Sequence, residues 1–312
     1  LNIKDFVAAK KPESVILVGG GFISLELAES FLKTGLKVTL IEKMDSVASL
    51  MSPEIQQDIS EKLKNKGVEL ITSASIAEIR KEDKGLSLIT DKGVFSSPAI
   101  IVSTGARPNT GFLKNSPLAF HKSGAIIIDE YSRTNIPDVY AAGDCATVKN
   151  LITGEDDYIP MATTANKQGR VAGLQAAGVT TEIFKGAIGT QMMKVCDLEI
   201  AKTGFNRNDA LKRGIEVIDD IIEWKSRAGY YPGSEPIKVK LTIRADNRKV
   251  IGGEIIGTDV AALRINTVAA AVTTGMTVED LAYLDTGYSP PFSPVWDPVI
   301  AAAQNFIRRA KG

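Results

Sequence analysis

The sequence predicts an α/β chain that continues into an α+β domain, and three observations support this. Over the first hundred residues, short aliphatic runs typical of strands buried on both faces alternate with amphipathic helical stretches. A glycine-rich turn at residues 19–21 joins the first strand to the first helix. From Ala187 onward, several strands precede two helices, an order typical of α+β domains. We therefore expect three domains, covering residues 1–113, 114–185 and 186–312.

The first domain follows the order strand, helix, strand, helix, strand, with an antiparallel ribbon and a final buried strand. Gly35 and Gly67 end its two helices, and Ser52 before Pro53 is a typical helix start. This order predicts a Rossmann-like domain. The predicted strands are residues 15–18, 36–41, 68–71 and 99–102, the helices are 22–34 and 53–66, and the ribbon is 75–95.

The other two domains are predicted from shorter patterns. A loop-rich stretch at residues 108–117 marks the first boundary. The second domain has predicted strands at 125–128 and 139–142 and a helix from about Ala162. The third domain has predicted strands near 189–204, 215–224, 236–244 and 249–256, followed by helices near 259–274 and 277–284.

Composition excludes several classes of function. The chain is 44% hydrophobic and 24% charged, and 37 basic residues balance 37 acidic ones, so nothing attracts it generally to nucleic acid or to a membrane surface. No apolar run is long enough to span a bilayer, and the start lacks the layout of a signal peptide. Cys145 and Cys196 are far apart and form no CxxC motif, which indicates neither a metal site nor a disulfide framework. We expect a cytoplasmic protein without a metal, nucleic-acid or membrane partner.

The glycine-rich turn is the strongest candidate for a cofactor site. Gly19 permits the tight turn, and Gly21 lets the backbone approach a pyrophosphate, whose charge meets the free N–H groups of the helix start. The third position of the fingerprint is Ser24, which is small enough for close packing but departs from the usual Gly or Ala. A plain structural turn is the alternative. The residues expected to contact a dinucleotide here are Gly19, Gly20, Gly21, Phe22 and Ile23.

Glu42 predicts which dinucleotide binds. It ends the second strand, 21 residues beyond Gly21, where a carboxylate can accept hydrogen bonds from the adenosine ribose. Because it would also repel a 2′-phosphate, NAD(H) is favoured over NADP(H). The neighbouring Lys43 could help to bind that phosphate and leaves NADPH open. The alternative for Glu42 is a solvated carboxylate at a strand end.

Three further residues complete the candidate nicotinamide site. Glu26 lies one turn into the first helix, where it is either a surface carboxylate or a contact near the nicotinamide. Thr104 and Gly105 follow the last strand, and in an open parallel sheet ligands bind beyond the carboxyl ends of the strands. A simple exit from strand to loop is the alternative for these two.

Three motifs, at residues 19–26, 103–109 and 134–145, occur in an order that resembles the pyridine nucleotide–disulfide oxidoreductases. These flavoproteins pass hydride from NAD(P)H to FAD and on to a sulfur centre. The resemblance implies that Gly143 and Asp144 bind the ribitol chain of FAD. It also places the helix start at Ala162 and Thr163 near the flavin ring, where a helix dipole can stabilise negative charge. An ordinary turn and an ordinary packed helix are the alternatives.

The last domain resembles the interface domain of the coenzyme A-disulfide reductase branch, through the motifs at residues 229–233 and 287–298. The resemblance implies a homodimer through residues 186–312, in which Tyr231 and Tyr288 reach the disulfide site of the partner. A phenol there can hydrogen-bond or protonate a leaving thiolate. The alternative for each is a core or interface tyrosine. The His-Glu pair of the glutathione-reductase type is absent from the end of this sequence.

The resemblance also predicts a missing part, because family members begin with an FAD lobe that carries its own glycine fingerprint and the redox cysteine. This chain has one fingerprint, and Cys145 and Cys196 are predicted to be inert packing residues. We expect an NADH-dependent flavoprotein that reduces coenzyme A disulfide or a per- or polysulfide, with this piece alone inactive and a poor binder of FAD. The alternatives are an NADH oxidase or peroxidase of the same superfamily, and a non-catalytic NAD-binding dimer module.

Overall fold

The computed structural model describes residues 2–83 and 85–309, and it confirms the predicted α/β fold class with an α+β domain at the end. The first, second and third domains denote the predicted ranges 1–113, 114–185 and 186–312. In the first domain the helices are α1 (Asn2–Lys10), α2 (Phe22–Lys33) and α3 (Pro53–Asn65), the strands are β1 (Ser14–Val18), β2 (Lys37–Ile41), β3 (Glu69–Ile71), β4 (Ile76–Glu82), β5 (Gly85–Thr90), β6 (Gly93–Ser97) and β7 (Ile100–Val102), and a 3₁₀ turn covers Gly111–Leu113.

The first domain is built on a parallel sheet of order β3-β2-β1-β7. Val15 and Leu17 of β1 face α2 and α3, whereas Ile16 and Val18 face the ribbon of β4, β5 and β6 through Leu88. Both faces of β1 are therefore covered, which explains its continuous aliphatic run. The helix α1 lies before β1 and was not predicted.

The second domain contains β8 (Val148–Lys149), β9 (Asp156–Asp157) and the predicted helix, α4 (Ala162–Ala176). The strands predicted at 125–128 and 139–142 are wrong: these residues form only isolated bridges, such as Arg133 with Tyr140. A strand needs a neighbour along its length, and within the described residues the amides there bond nearby turns instead, as Ala141 N–H does to the carbonyl of Ser132.

The strands of the third domain are β10 (Gln191–Val195), β11 (Leu198–Gly204), β12 (Val217–Lys225), β13 (Pro236–Arg244) and β14 (Val250–Gly257), and the helices are α5 (Arg207–Leu211), α6 (Ile265–Thr274), α7 (Val278–Ala282) and α8 (Pro298–Arg309). The strands form an antiparallel sheet of order β10-β11-β14-β13-β12. The strand predicted at 189–204 is a hairpin instead, because Cys196 adopts a left-handed conformation (φ 59°) in a turn that divides it. The helix predicted at 259–274 begins as a 3₁₀ turn, Ala262–Arg264, and two helices were not predicted, α5 and α8.

The two faces of the third-domain sheet have different partners. On one face, Val239 and Leu241 pack against α6, α7 and α8. On the other, Ile200 and Ile256 join the same core as α2 and α3 of the first domain. The third domain thus closes one side of the first domain.

Across the described ranges, no helix combines the length and apolar character that crossing a membrane would need.

Candidate nucleotide and sulfur-acceptor site

The glycine turn lies between the carboxyl ends of β2 and β7. Gly19 has φ +100°, and a Cβ atom there would lie 2.6 Å from the carbonyl oxygen of Ser103. Its N–H donates to the carbonyl of Ile41 at 2.8 Å. Only glycine combines this backbone angle with this close approach, so the first glycine of the predicted fingerprint is required by the fold itself.

Gly21 has a different reason to be glycine. Its φ of −79° suits any residue, and no described atom lies within 4 Å of the position that its Cβ would take. It is the N-cap of α2, whose first N–H groups therefore face open space without a side chain to cap them. Phe22, Ile23 and Glu26 follow on the first turn, with Ile23 and Glu26 exposed. This arrangement fits a pyrophosphate approaching the helix start.

The departure from the fingerprint at Ser24 has a structural explanation. Ser24 is fully buried, and its hydroxyl is hydrogen-bonded to the hydroxyl of Ser103, just beyond β7. A hydroxyl that would be costly to bury alone therefore ties α2 to the neighbouring strand end. Beyond it, Thr104 is exposed and Gly105 has φ +104° with no described atom within 4 Å of its Cβ position. That edge is open to a ligand.

Glu42, predicted to bind the adenosine ribose, accepts hydrogen bonds from the backbone on both sides of the site. Its Oε2 accepts from the N–H of Gly20, and its Oε1 accepts from the N–H of Met44 at 2.7 Å. Each carboxylate oxygen has a second lone pair, so a ribose hydroxyl can still bind. A Cβ at Gly20 would approach the same carboxylate at 3.0 Å. Lys43 beside it is exposed.

Asp144 was predicted to follow a buried strand at residues 139–142, and this is wrong because no strand forms there. The motif is held by α4 instead. Gly143 has φ +83°, and its N–H donates to Oε1 of Gln168 at 2.9 Å. Gln168 is buried and its amide also donates to the carbonyl of Thr147 at 2.7 Å. The exposed Asp144 receives a hydrogen bond on its carbonyl from Tyr158. Gln168 was missed in the sequence, since nothing local distinguishes it from a surface glutamine.

A cleft of ≈ 1230 Å³ joins the predicted nicotinamide and flavin residues. Phe22 lines it from α2, and the exposed Ala162 and Thr163 line it from the start of α4, together with Lys167. The N-cap of α4, Met161, offers no side-chain cap among the described residues. Free helix N–H groups and a lysine make this cleft suitable for an anionic ring system. The third domain contributes the far wall through α6 and residues 186–192.

The two cysteines lie outside this cleft. The thiol of Cys145 is half-buried and donates to the carbonyl of Ala142 at 3.3 Å, in a turn rather than at a strand end. Cys196 lies in the β10–β11 turn, where burial raises the pKa of its thiol. A raised pKa keeps a thiol in its less reactive protonated form.

The tyrosines lie on an exposed surface of the third domain. Tyr230, Tyr231 and Tyr288 are 78%, 37% and 48% exposed. The structure places the hydroxyl of Tyr288 3.5 Å from that of Tyr230, the neighbour of the predicted Tyr231, and this hydrogen bond raises the pKa of Tyr288. Phe292 and Trp296 are exposed beside them, and such an apolar patch is typical of an interface.

Arg264 connects the two segments that carry these tyrosines. Its guanidinium donates to the carbonyl of Ser226 at 2.6 Å and to the carbonyl of Phe292 at 2.9 Å, and it pairs with Asp297 at 3.1 Å. One side chain therefore links the residues just before Tyr230 and Tyr231 to the residues that follow Tyr288. In the sequence Arg264 lies inside the helix predicted at 259–274 and nothing distinguishes it from a surface arginine, so the prediction missed it.

Within residues 2–83 and 85–309, no group of three or more His, Cys, Asp or Glu side chains is arranged to hold a metal ion.

Two family models match the chain. The model described as pyridine nucleotide-disulphide oxidoreductase matches residues 2–169, and the model of the dimerisation domain of that family matches residues 190–298. The family resemblance inferred from the three motifs is thereby confirmed.

Named relatives agree with this. The chain is 36% identical over 303 residues to the NAD(P)H sulfur oxidoreductase (CoA-dependent) of Pyrococcus furiosus, covering 97% of this chain and 68% of the relative. It is 31% identical to an NADH oxidase of Methanocaldococcus jannaschii, covering 98% and 68%. The solved structure of a NAD-dependent persulfide reductase from A. fulgidus superposes with a TM-score of 0.95 at 34% identity, covering 99% of this chain and 57% of that one. The chain thus spans about two thirds of these curated relatives and less of that solved chain.

Proposed function

The chain belongs to the pyridine nucleotide-disulphide oxidoreductase family, and from this we propose that its full-length protein is an NADH-dependent flavoprotein reductase of a disulfide or sulfane-sulfur acceptor. The acceptor class is coenzyme A disulfide or a coenzyme A per- or polysulfide. NADH and one proton supply the two electrons and two protons that convert one disulfide into two thiols, with FAD as the relay between nicotinamide and sulfur.

The residues of this chain fit the nicotinamide dinucleotide. The open start of α2 receives the pyrophosphate, while Gly19 keeps the turn against Ser103. Glu42, held by the N–H of Gly20, presents its remaining lone pairs to the adenosine ribose and disfavours a 2′-phosphate. Gly105 leaves room at the neighbouring strand end. We propose NADH as the preferred donor, with NADPH as the alternative that Lys43 would support.

The flavin contacts in this chain are fewer. Gly143 and Asp144 would hold the ribitol chain, and the start of α4 at Ala162 and Thr163 would meet the ring. We propose that the remaining flavin contacts and the redox cysteine lie outside these 312 residues, since neither Cys145 nor Cys196 lines the cleft. On this proposal the chain alone binds NADH, turns over little, and binds FAD poorly.

One observation carries the choice of a sulfur acceptor: the exposed pair of hydroxyls on Tyr230 and Tyr288, beside an apolar patch. We propose that the patch is part of the surface of a homodimer formed through residues 186–312, and that Tyr288 with Tyr230 or Tyr231 lies at the acceptor site of the partner. A phenol hydrogen-bonds a leaving thiolate and gives it a proton. Reduction of O₂ releases no thiolate for such a donor to protonate.

Steady-state kinetics of the full-length protein test this proposal. We expect NADH oxidation to be faster with coenzyme A disulfide or polysulfide than with O₂ alone. Tyr288→Phe should lower turnover with the sulfur acceptor by about tenfold or more, in line with general acid catalysis, and leave any O₂-dependent rate unchanged. A variant that keeps full disulfide turnover would refute the role of Tyr288.

The NADH oxidase function is the second candidate, because a relative 31% identical to the chain is named so. A full-length protein whose rate depends on O₂ and not on a sulfur acceptor would favour it. The third candidate, a non-catalytic NAD-binding dimer module, predicts NADH binding without turnover even in the full-length protein. The cytoplasmic location expected from the sequence stays a prediction.

A further inference from the structure

Three charged side chains form a buried row across the third-domain sheet. Lys202 on β11 and Lys240 on β13 flank Glu254 on the central strand β14, each paired with it in the strand register. The three residues are only 4%, 5% and 1% exposed. Burying charges costs several kcal/mol per ion in general, and an apolar row would seal two domains at lower cost. Packing alone therefore does not explain why these three positions carry charged side chains.

The row contacts the first domain at the segment just before α3. Glu254 accepts hydrogen bonds from the N–H of Ser52, at 2.8 Å, and from its hydroxyl. The ammonium of Lys202 donates to the carbonyl of Leu50 at 2.7 Å. Ser52 is the N-cap of α3, but its hydroxyl turns away from the helix to the third domain. Backbone atoms of the first domain are thus held by side chains of the third.

This anchored segment continues into the glycine turn. The N–H of Met51 donates to the carbonyl of Ala48, and the N–H of Ala48 donates to the carbonyl of Gly20, both at 2.8 Å. Val47 is fully buried, and its Cγ1 would lie 2.9 Å from a Cβ at Gly20. At the other end, Glu42 holds the N–H groups of Gly20 and Met44. The loop of residues 43–52 is therefore fixed at both ends.

We propose that Lys202 and Glu254 are positioning residues for the adenosine half of the dinucleotide. They hold the backbone of Leu50 and Ser52 so that the loop 43–52 keeps Gly20 and Glu42 in the binding geometry. This inference rests on the proposed binding of NAD(H), and it assigns part of the support of that site to the third domain.

The test uses the 312-residue chain and titrates NADH and ADP-ribose, the latter lacking the nicotinamide. Lys202→Met and Glu254→Gln should raise both dissociation constants by the same factor. If only about a tenth of the variant molecules keep the loop 43–52 in its binding-competent conformation, both dissociation constants rise about tenfold. Ser52→Ala removes one hydroxyl only and should give about a threefold rise on the same reasoning. It also covers the case in which Glu254→Gln fails to fold.

Lys238→Met provides the matched control. Lys238 pairs with Asp58 of α3 at 2.9 and 2.7 Å, across the same interface but beyond the loop. Its loss should leave both dissociation constants within about twofold of wild type.

Amide hydrogen exchange is the second measurement. Exchange at Ala48 and Met51 should be faster in Lys202→Met and Ser52→Ala but not in Lys238→Met. If the contact between the domains were weakened everywhere, exchange would be faster in all three variants.

The outcomes separate the two proposals. A wild-type chain that binds neither NADH nor ADP-ribose overturns the proposed function and this inference together. A wild-type chain that binds both, with unchanged constants in Lys202→Met and Ser52→Ala, overturns the inference alone. Equal weakening in Lys238→Met also overturns it, because domain contact in general would then be responsible.

Discussion

One added methyl group should reduce stability at Gly19 and NADH binding at Gly21, because the two glycines are needed for different reasons. At Gly19 an alanine must adopt φ +100°, a conformation that costs roughly 1–3 kcal/mol for a residue with a side chain. Its Cβ would also lie 2.6 Å from the carbonyl oxygen of Ser103, and overpacking of this kind costs roughly 1–3 kcal/mol. Together these costs should lower the free energy of unfolding of the first domain in Gly19→Ala by about 2–6 kcal/mol.

At Gly21 the same change meets neither obstacle. The φ of −79° suits alanine, and no described atom lies within 4 Å of its Cβ. Replacing a glycine N-cap by alanine costs about 1 kcal/mol or less. The methyl group, however, takes the space into which the pyrophosphate comes. Gly21→Ala should therefore raise the dissociation constant for NADH about tenfold or more, which is about 1.4 kcal/mol.

The assay must report on the first domain. Both tryptophans of the chain, Trp224 and Trp296, lie in the third domain, so tryptophan fluorescence is unsuitable. Far-ultraviolet circular dichroism in urea, with hydrogen exchange of the β1 and β7 amides, measures unfolding, and the fluorescence of NADH measures binding. The reasoning is refuted if Gly21→Ala is as unstable as Gly19→Ala, or if it binds NADH as tightly as wild type.

Three further changes have expected outcomes. Glu42→Ala should weaken NADH binding about tenfold and reduce the ratio of NADH affinity to NADPH affinity, both measured by titration. A wild-type chain that binds NADH and NADPH equally tightly would contradict the role of Glu42. Burial disfavours the charged form of Asp219, but hydrogen bonds from Arg207 and Lys240 outweigh this and hold its pKa below 3.8, so Asp219→Asn should cost about 1–2 kcal/mol at neutral pH. A lowered pKa of Asp219 contributes stability that is present above pH 3.8 and is lost as the pH falls through the folded-state pKa. The difference in free energy of unfolding between Asp219→Asn and wild type should therefore shrink in acid. A difference that stays constant with pH would contradict the lowered pKa. Arg264→Lys, which cannot reach three acceptors, should weaken dimerisation in sedimentation equilibrium, whereas Tyr288→Phe should not.

The sequence alone determined the features that depend on local backbone and periodicity. The fold class, the glycine turn and α3 after Ser52 and Pro53 were all predicted within a few residues, because aliphatic runs, helical spacing and capping residues act over one or two turns of chain. Residues 125–128 and 139–142 looked like strands by the same local rule. They failed because a strand also requires a partner, and nothing local specifies one.

Only the tertiary structure decided how the nucleotide turn is supported. The sequence predicted a strand near 236–244 but not what would cover the face that carries Lys238 and Lys240. The structure covers that face with α3, and it aligns Lys202, Lys240 and Glu254, which are 38 and 14 residues apart along the chain. Strand register and domain packing set such a row, and neither leaves a local signal. Gly19 could therefore be identified from sequence, whereas the residues that hold its loop in place could not.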